Sequence, residues 1–336
     1  MKKISIIIPV YNAMTSGGGY IMRAVDSVLS QKDFPIDDIE ILLINDGSKD
    51  NSLEVLKEVV EKNPSIVQLI NQENMGVANT RNKAIGLATG EYTTFLDQDD
   101  WLDDDFCQTL YDANGDADVI ISGYKRPNSK GEIGRSFQPS NTPYGRYTVA
   151  AAWAKLHKTT FLKEQNIEFF DNGYGEDIPF MVAENIATDN YKIIDYVGYN
   201  WFNNEKSVSN TSQKNLAHEN VETIAKLFEK LCEFSVQKGN HAFDYYLIRT
   251  VIYSLLFSGR NATKQEFLVA KKRLFGLLEA HDEIFSSKKL QKFIIAPKGE
   301  TKSVGFIVAV FIVMEKSHLL PAFATIWCKN QKTSAK

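Results

Sequence analysis

The sequence predicts an α/β fold: a mostly parallel sheet flanked by helices and followed by a C-terminal helical appendage. Two observations predict it. Up to about residue 125, short β-branched apolar runs alternate with amphipathic segments, the pattern of βαβ units. From about residue 215 onward, apolar positions recur at helical spacing instead.

The elements follow in order. ISIIIPV, after Met1-Lys2-Lys3, mimics a signal peptide, but the run is short and meets Asn12 with no small-residue cleavage pattern, so it reads as a first strand. IEILLIN, IVQLI, EYTTFL and DVIIS supply further strands. Residues 126–150 are rich in Pro, Gly, Ser and Asn, which predicts a loop or irregular hairpin. Leu216, Val221, Ile224, Leu227, Leu231 and Phe234 mark a helix, with Gly239 as its stop. YYLIRTVIYSLLF runs as a second helix to Gly259, and Thr263 with Glu266 forms a capping box that opens a third. SVGFIVAVFIVM and LLPAFATIWC, separated by EKSH, are each too short to span a bilayer. Their apolar surface must pack on the appendage or lie in a membrane interface.

Composition narrows the function. With 336 residues and 43% hydrophobic content the chain can bury a full core. Its net charge of -4 and scattered Lys and Arg argue against nucleic acid as a partner. Cys107, Cys232 and Cys328 are far apart and show no CxxC pairing, which argues against a zinc site or disulfide framework and fits a reducing cytoplasm.

Open α/β sheets bind ligands beyond the carboxyl ends of their strands. Those ends are polar here: Pro9-Val10-Tyr11-Asn12, Asn45-Asp46-Gly47-Ser48, Asn71-Gln72-Glu73-Asn74 and Asp97-Gln98-Asp99-Asp100. Residues 46–51 also read as turn chemistry with a helix N-cap, and Arg81 as a solvated helix residue. Asp103, Asp104 and Asp105 read as first-turn acids favoured by a helix dipole. Asp97 and Asp99 stand at the strand end and call for a cation. Mg²⁺ or Mn²⁺ suits them, because such ions are held by one or two carboxylates together with substrate phosphates.

Taken together, IIIPVYN, INDGSKDNS, NMGVANTRNKAIGLATGEY and FLDQDD resemble the donor-binding half of family 2 glycosyltransferases. VAAAWAKLHKTTFL and GYGEDIPFMVAENIA resemble that family's acceptor side. The resemblance implies a GT-A-like, Rossmann-related fold over residues 1–212, with the donor half to about 105 and the acceptor half from about 106. Residues 213–336 form the helical region. It implies Pro9, Tyr11 and Asp46 at the nucleotide base, Arg81 near the nucleotide, and Asp97 and Asp99 as the DxD pair, with Asp99 on the metal and Asp97 toward ribose or the metal. It also implies catalysis by the Glu176-Asp177 pair, with Asp177 as base, and a segment closing over the diphosphate, where Lys206 is the basic side chain.

The activity implied is metal-dependent, inverting transfer from a nucleotide-diphospho-sugar, UDP-linked, to a glycan or lipid-linked saccharide acceptor in surface polysaccharide or cell-wall synthesis. A lipid-linked acceptor would place the protein in the cytoplasm at the inner face of the cell membrane. Glu176-Asp177 alone would equally suit a first-turn acidic pair. Trp153 and Trp201 read as core residues or as lining for a sugar groove. The Thr15–Gly19 insertion is a departure from the family pattern. One rival is a dinucleotide-binding oxidoreductase, but GGGYIM places Met22 where the third glycine belongs. The other is a non-catalytic nucleotide-sugar-binding partner subunit.

Overall fold

The computed structural model describes residues 2–17, 19–173, 175–204, 216, 218–234 and 240–328. They fall into two compact units. The first comprises residues 1–141, 149–171 and 176–210; the second comprises 142–148, 172–175 and 211–336.

The first unit is built on a nine-stranded sheet. β1 (Ile4–Val10), β2 (Ile39–Asp46), β3 (Val67–Gln72) and β4 (Tyr92–Phe95) pair in parallel, with β1 between β2 and β4 and β3 outside β2. Helices α2 (Tyr20–Leu29), α3 (Ser52–Lys62) and α4 (Val77–Leu87) connect them, and a short α1 (Ala13–Gly17) precedes α2.

The continuous apolar strands follow from burial on both faces. Ile4, Ile6 and Ile8 share a core with Ile21, Val25 and Val28 of α2 and with Leu56 and Val59 of α3. Ile7, Leu42 and Ile44 pack on the opposite face with Ala84 and Ile85 of α4 and with Phe95 and Phe180.

The remaining strands mix directions. β5 (Trp101–Leu102), β6 (Val119–Pro127), β7 (Ile133–Phe137), β8 (Lys155–Lys158) and β9 (Tyr191–Asn200) follow, with α5 (Phe106–Asp112), α6 (Thr159–Glu164) and α7 (Asp177–Ala187) between them. β8 is antiparallel to both β4 and β6, whereas β9 is parallel to β6 and antiparallel to β5. β6 and β7 form an antiparallel pair with a register shift between Arg126 and Pro127, the irregular hairpin expected from that composition. The parallel pattern read from the sequence therefore holds over β1 to β4, and the sheet continues as a mixed one.

The second unit is helical: α8 (His218–Glu233), α9 (His241–Gly259), α10 (Lys264–His281), α11 (Lys302–Lys316) and α12 (Leu320–Trp327). The Thr263 hydroxyl accepts from the Glu266 N–H while the Glu266 carboxylate accepts from the Thr263 N–H, so α10 opens on the expected capping box. Gly239, read as a helix stop, lies outside the described residues. Among the described residues no helix is long and apolar enough to cross a membrane.

Candidate active site

Side-chain hydrogen bonds join the polar strand ends to one another. The Tyr11 N–H donates to Gln98 Oε1 at 2.9 Å, and Gln98 Nε2 donates back to the Tyr11 carbonyl at 3.2 Å, tying the end of β1 to the turn after β4. Pro9 pairs in register with Ile44, and the Tyr11 side chain stays 44% exposed at the rim.

Asp46, at the end of β2, is buried. Its Oδ1 accepts from the Met75 N–H and from Gln72 Nε2, both at 2.9 Å, and its Oδ2 accepts from the Gly76 N–H at 3.0 Å. This close approach requires Gly47, which has φ +69°; a Cβ there would stand 2.6 Å from the Asn74 nitrogen. The Thr15–Gly19 insertion is stapled to the same rim, because Thr15 donates through its N–H and its hydroxyl to Asp50 Oδ2.

Each acid of DQDD has a different partner. Asp97 Oδ1 accepts from an Arg81 guanidinium nitrogen at 2.6 Å. Arg81 is no solvated helix residue, being 3% exposed. Its other terminal nitrogen reaches Glu176 Oε1 at 3.2 Å and Asp177 Oδ1 at 3.1 Å. The guanidinium lies over the Phe169 ring, 5.1 Å from the centroid. One buried cation thus joins a strand end to a helix start 80 residues away. Burial opposes its charge, but three carboxylates outweigh that and hold Arg81 more firmly protonated than usual. Asp177 is also governed first by burial, which pushes its carboxyl up to about 7 against the pull of Arg81, with Glu176 and Asp97 adding to the rise.

Asp99 accepts from Asn204 Nδ2 at 3.1 Å, and burial, with Asp97 nearby, pushes its carboxyl up. Asp100 is wholly buried and accepts from the Tyr199 hydroxyl at 2.7 Å and the Phe202 N–H at 2.8 Å; desolvation raises it well above the usual carboxylate range. Tyr199 also receives the Asp97 N–H, which fixes the turn. Arg23 of α2 donates to the Asp99 carbonyl at 2.7 Å from beneath the rings of Trp101, Phe202 and Tyr20.

Sequence reasoning missed Asp100, Tyr199 and Arg23 as positioning groups. The third acid of the run was a signal for Asp100; the other two carried none. Asp103, Asp104 and Asp105 do precede α5, but their carboxylates bond to Lys125, Lys32 and Tyr196 rather than capping the helix. Trp153 is a core residue, stacked on Tyr199 with centroids 4.5 Å apart. Lys206 lies outside the described residues.

Behind Asp177 is a second ionisable group of side chains. Glu184, two turns along α7, faces Lys155 Nζ at 3.7 Å and His157 Nδ1 at 3.4 Å, and all three side chains are at most 1% exposed. Burial lowers the Lys155 ammonium, while Glu184 and then Asp177 hold it up. Breaking such a pair strands the remaining charge. Glu184→Gln should therefore destabilise the protein by about 3 kcal/mol near neutral pH. Lys155 would then lose its proton more readily folded than unfolded, so the deficit should shrink as pH rises toward the unfolded lysine value of about 10.4. Urea unfolding at pH 6 and pH 9 checks this; equal losses at both would show that Lys155 is not the stranded charge.

With this geometry in place, comparison with known proteins identifies the lineage. The sequence model named Glycosyl transferase family 2 matches residues 5–210, more than half of the chain. The chain belongs to that family. Family 2 membership removes the dinucleotide-binding alternative. The chain is also similar to glycosyltransferase GlyA of Streptococcus pneumoniae serotype 4, at 26% identity over 85% of this chain and 43% of GlyA. It is 31% identical to the poly(ribitol-phosphate) beta-glucosyltransferase of Bacillus spizizenii over 50% of this chain and 27% of that protein. It therefore spans less than half the length of either relative. Among solved structures, TarS of S. aureus (residues 1–349, in complex with UDP-GlcNAc) superposes with a TM-score of 0.66 at 18% identity, covering 96% of this chain and 90% of that one. The fold is thus the GT-A-like one, with C-terminal helices.

Proposed function

We propose that this family 2 chain is a glycosyltransferase that moves a hexosyl or N-acetylhexosaminyl group from a UDP-linked sugar to a hydroxyl of a glycan or lipid-linked saccharide, in synthesis of a bacterial surface polysaccharide or cell-wall glycan. The observation that carries it is the meeting of Asp97, Glu176 and Asp177 on buried Arg81. Glycosyl transfer from a nucleoside diphosphate needs a place for the departing diphosphate beside a base for the incoming hydroxyl, and the carboxylates this reading assigns to those two tasks share one guanidinium. The UDP-GlcNAc complex of TarS supports the choice of donor.

Tyr11 offers its exposed ring to a nucleobase beside Pro9. Asp46 already accepts three hydrogen bonds of the roughly four a carboxylate can take, leaving one for a base N–H. Asp177 takes the proton of the acceptor hydroxyl in a single inverting displacement, so no enzyme nucleophile is required. This reading assigns to Lys206 the task of offsetting charge on the diphosphate.

Asp97 and Asp99 fit Mn²⁺ or Mg²⁺. They are two hard oxygen donors, and Asp99 carries a charge that burial and Asp97 disfavour, which a dication would relieve. Among the described residues no group of three or more His, Cys, Asp or Glu side chains could hold a metal by itself, so phosphate oxygens would complete the shell. When bound, the ion would offset the negative charge of the leaving diphosphate. The reaction would take place on the cytoplasmic side of the membrane that carries a lipid-linked acceptor.

UDP with Mn²⁺ should raise the melting temperature, and Asp99→Ala should abolish the metal-dependent part of that rise. An unchanged rise in the variant would remove Asp99 from the metal site. Metal-dependent nucleotide release across a panel of nucleotide sugars tests the activity itself.

A further inference from the structure

α11 is apolar on all sides, with no charge from Ser303 to Met314. Its Gly305, Val308, Phe311 and Ile312 are buried in the helical unit. Its opposite side is not covered: Phe306 is 70% exposed, Ile307 47%, Val310 37% and Val313 48%. An amphipathic helix of a soluble unit carries polar residues on that side. Beyond Glu315, Lys316, Ser317 and His318, exposed apolar side chains recur at Leu319, 53% exposed, and Ile326, 88% exposed.

The charges at its edge are arranged by sign. The nearby acids are neutralised, Glu300 by Arg249 and Glu315 by Lys271. Lys298, Lys302 and Lys316 are exposed. At about 100° per residue, Lys302, Phe306, Val310, Val313 and Lys316 fall on one stripe about 120° wide, an apolar strip with a lysine at each end. A helix of this length cannot cross a bilayer, but it can lie in the headgroup boundary with its apolar side down.

We propose that the exposed stripe of α11 docks the protein on an anionic phospholipid surface. The positive ends select acidic headgroups and the apolar centre enters the acyl boundary. This extends the proposed reading, in which the acceptor is a lipid-linked saccharide, but it stands on the helical unit alone.

Truncation after Lys302 would be a poor test, since it also deletes buried Val308, Phe311, Ile312, Leu320 and Ala324. Substitution of exposed residues is better. The full chain should float with phosphatidylcholine vesicles containing phosphatidylglycerol, float less with phosphatidylcholine alone, and release as salt is added. Phe306→Ser/Val310→Ser/Val313→Ser should lower the vesicle-bound fraction by about tenfold or more while leaving the melting temperature unchanged. Should that variant fail to fold, Phe306→Ser alone and Lys302→Gln/Lys316→Gln give smaller losses in the same direction. Wild-type protein that stays below both kinds of vesicle, or a folded triple variant that floats as well as wild type, overturns the proposal. So does concentration-dependent self-association in light scattering that the triple variant abolishes without any flotation, which would assign the stripe to a second copy of the chain. The UDP-induced rise in melting temperature, measured on the same samples, reports the donor site independently.

Discussion

Asp177→Asn is expected to lower sugar transfer by at least about 10²-fold, the lower end of what a positioned general base contributes. Asn retains an oxygen for Arg81, so UDP affinity and melting temperature should hardly change. The loss should then appear in kcat rather than in donor binding. Burial places the Asp177 carboxyl at about 7, so wild-type transfer should rise as pH climbs through that region and the base loses its proton; the variant should lose this rise. Glu176→Gln should cost less, because Glu176 stands one residue earlier, about 100° around the helix, and shares the same Arg81 nitrogen. If Asp177→Asn keeps near wild-type transfer while Glu176→Gln is inactive, the base is the other carboxylate. If both remain active, catalysis lies elsewhere in the unit.

Arg81→Met should have the second large effect, on stability. The substitution keeps a long apolar stem over Phe169 but leaves Asp97, Glu176 and Asp177 facing one another without a cation. Removing one partner from a buried ionic cluster costs about 3–5 kcal/mol. The loss depends on pH. Without Arg81, Asp177 holds its proton still more tightly in the folded state, whereas the unfolded carboxyl titrates at about 3.9. Wild-type Asp177 is already pushed up to about 7, so the variant's deficit relative to wild type should be small below about pH 6 and grow as pH rises through and above about 7. Thermal melts of both proteins across that range check this. A deficit independent of pH would show that the cluster is not held together by charge.

Much of this site was legible because its parts are local. The four strand ends announce themselves by apolar runs that stop at polar turns, and Gly47 and Gly76 mark where the backbone must turn with positive φ. The cation beside Asp97 was not legible. A run of acids states that charge must be offset, but not which side chain arrives from elsewhere, and Arg81 reads locally as a surface position on a helix rich in small and polar residues. Its burial is decided by Phe169 and by α7, which no local pattern connects to it. Lys155, His157 and Glu184 were hidden for the same reason: in AKLHK and FMVAENIA their polarity suggests exposure, and only the pairing of β8 with β4 and β6 shows that the strand is interior. Asp100 differs in kind, since its neighbours Tyr199 and Phe202 lie about a hundred residues away and become visible only when β9 closes on β5.

The shared guanidinium also has a thermodynamic consequence. Any event that draws Asp97 away from Arg81 returns part of that positive charge to Glu176 and Asp177 and lowers the proton affinity of Asp177. Reciprocity then requires that ionising Asp177 favour the same event by the same factor. If donor binding engages Asp97, loading the donor and arming the base are two readings of a single coupling free energy.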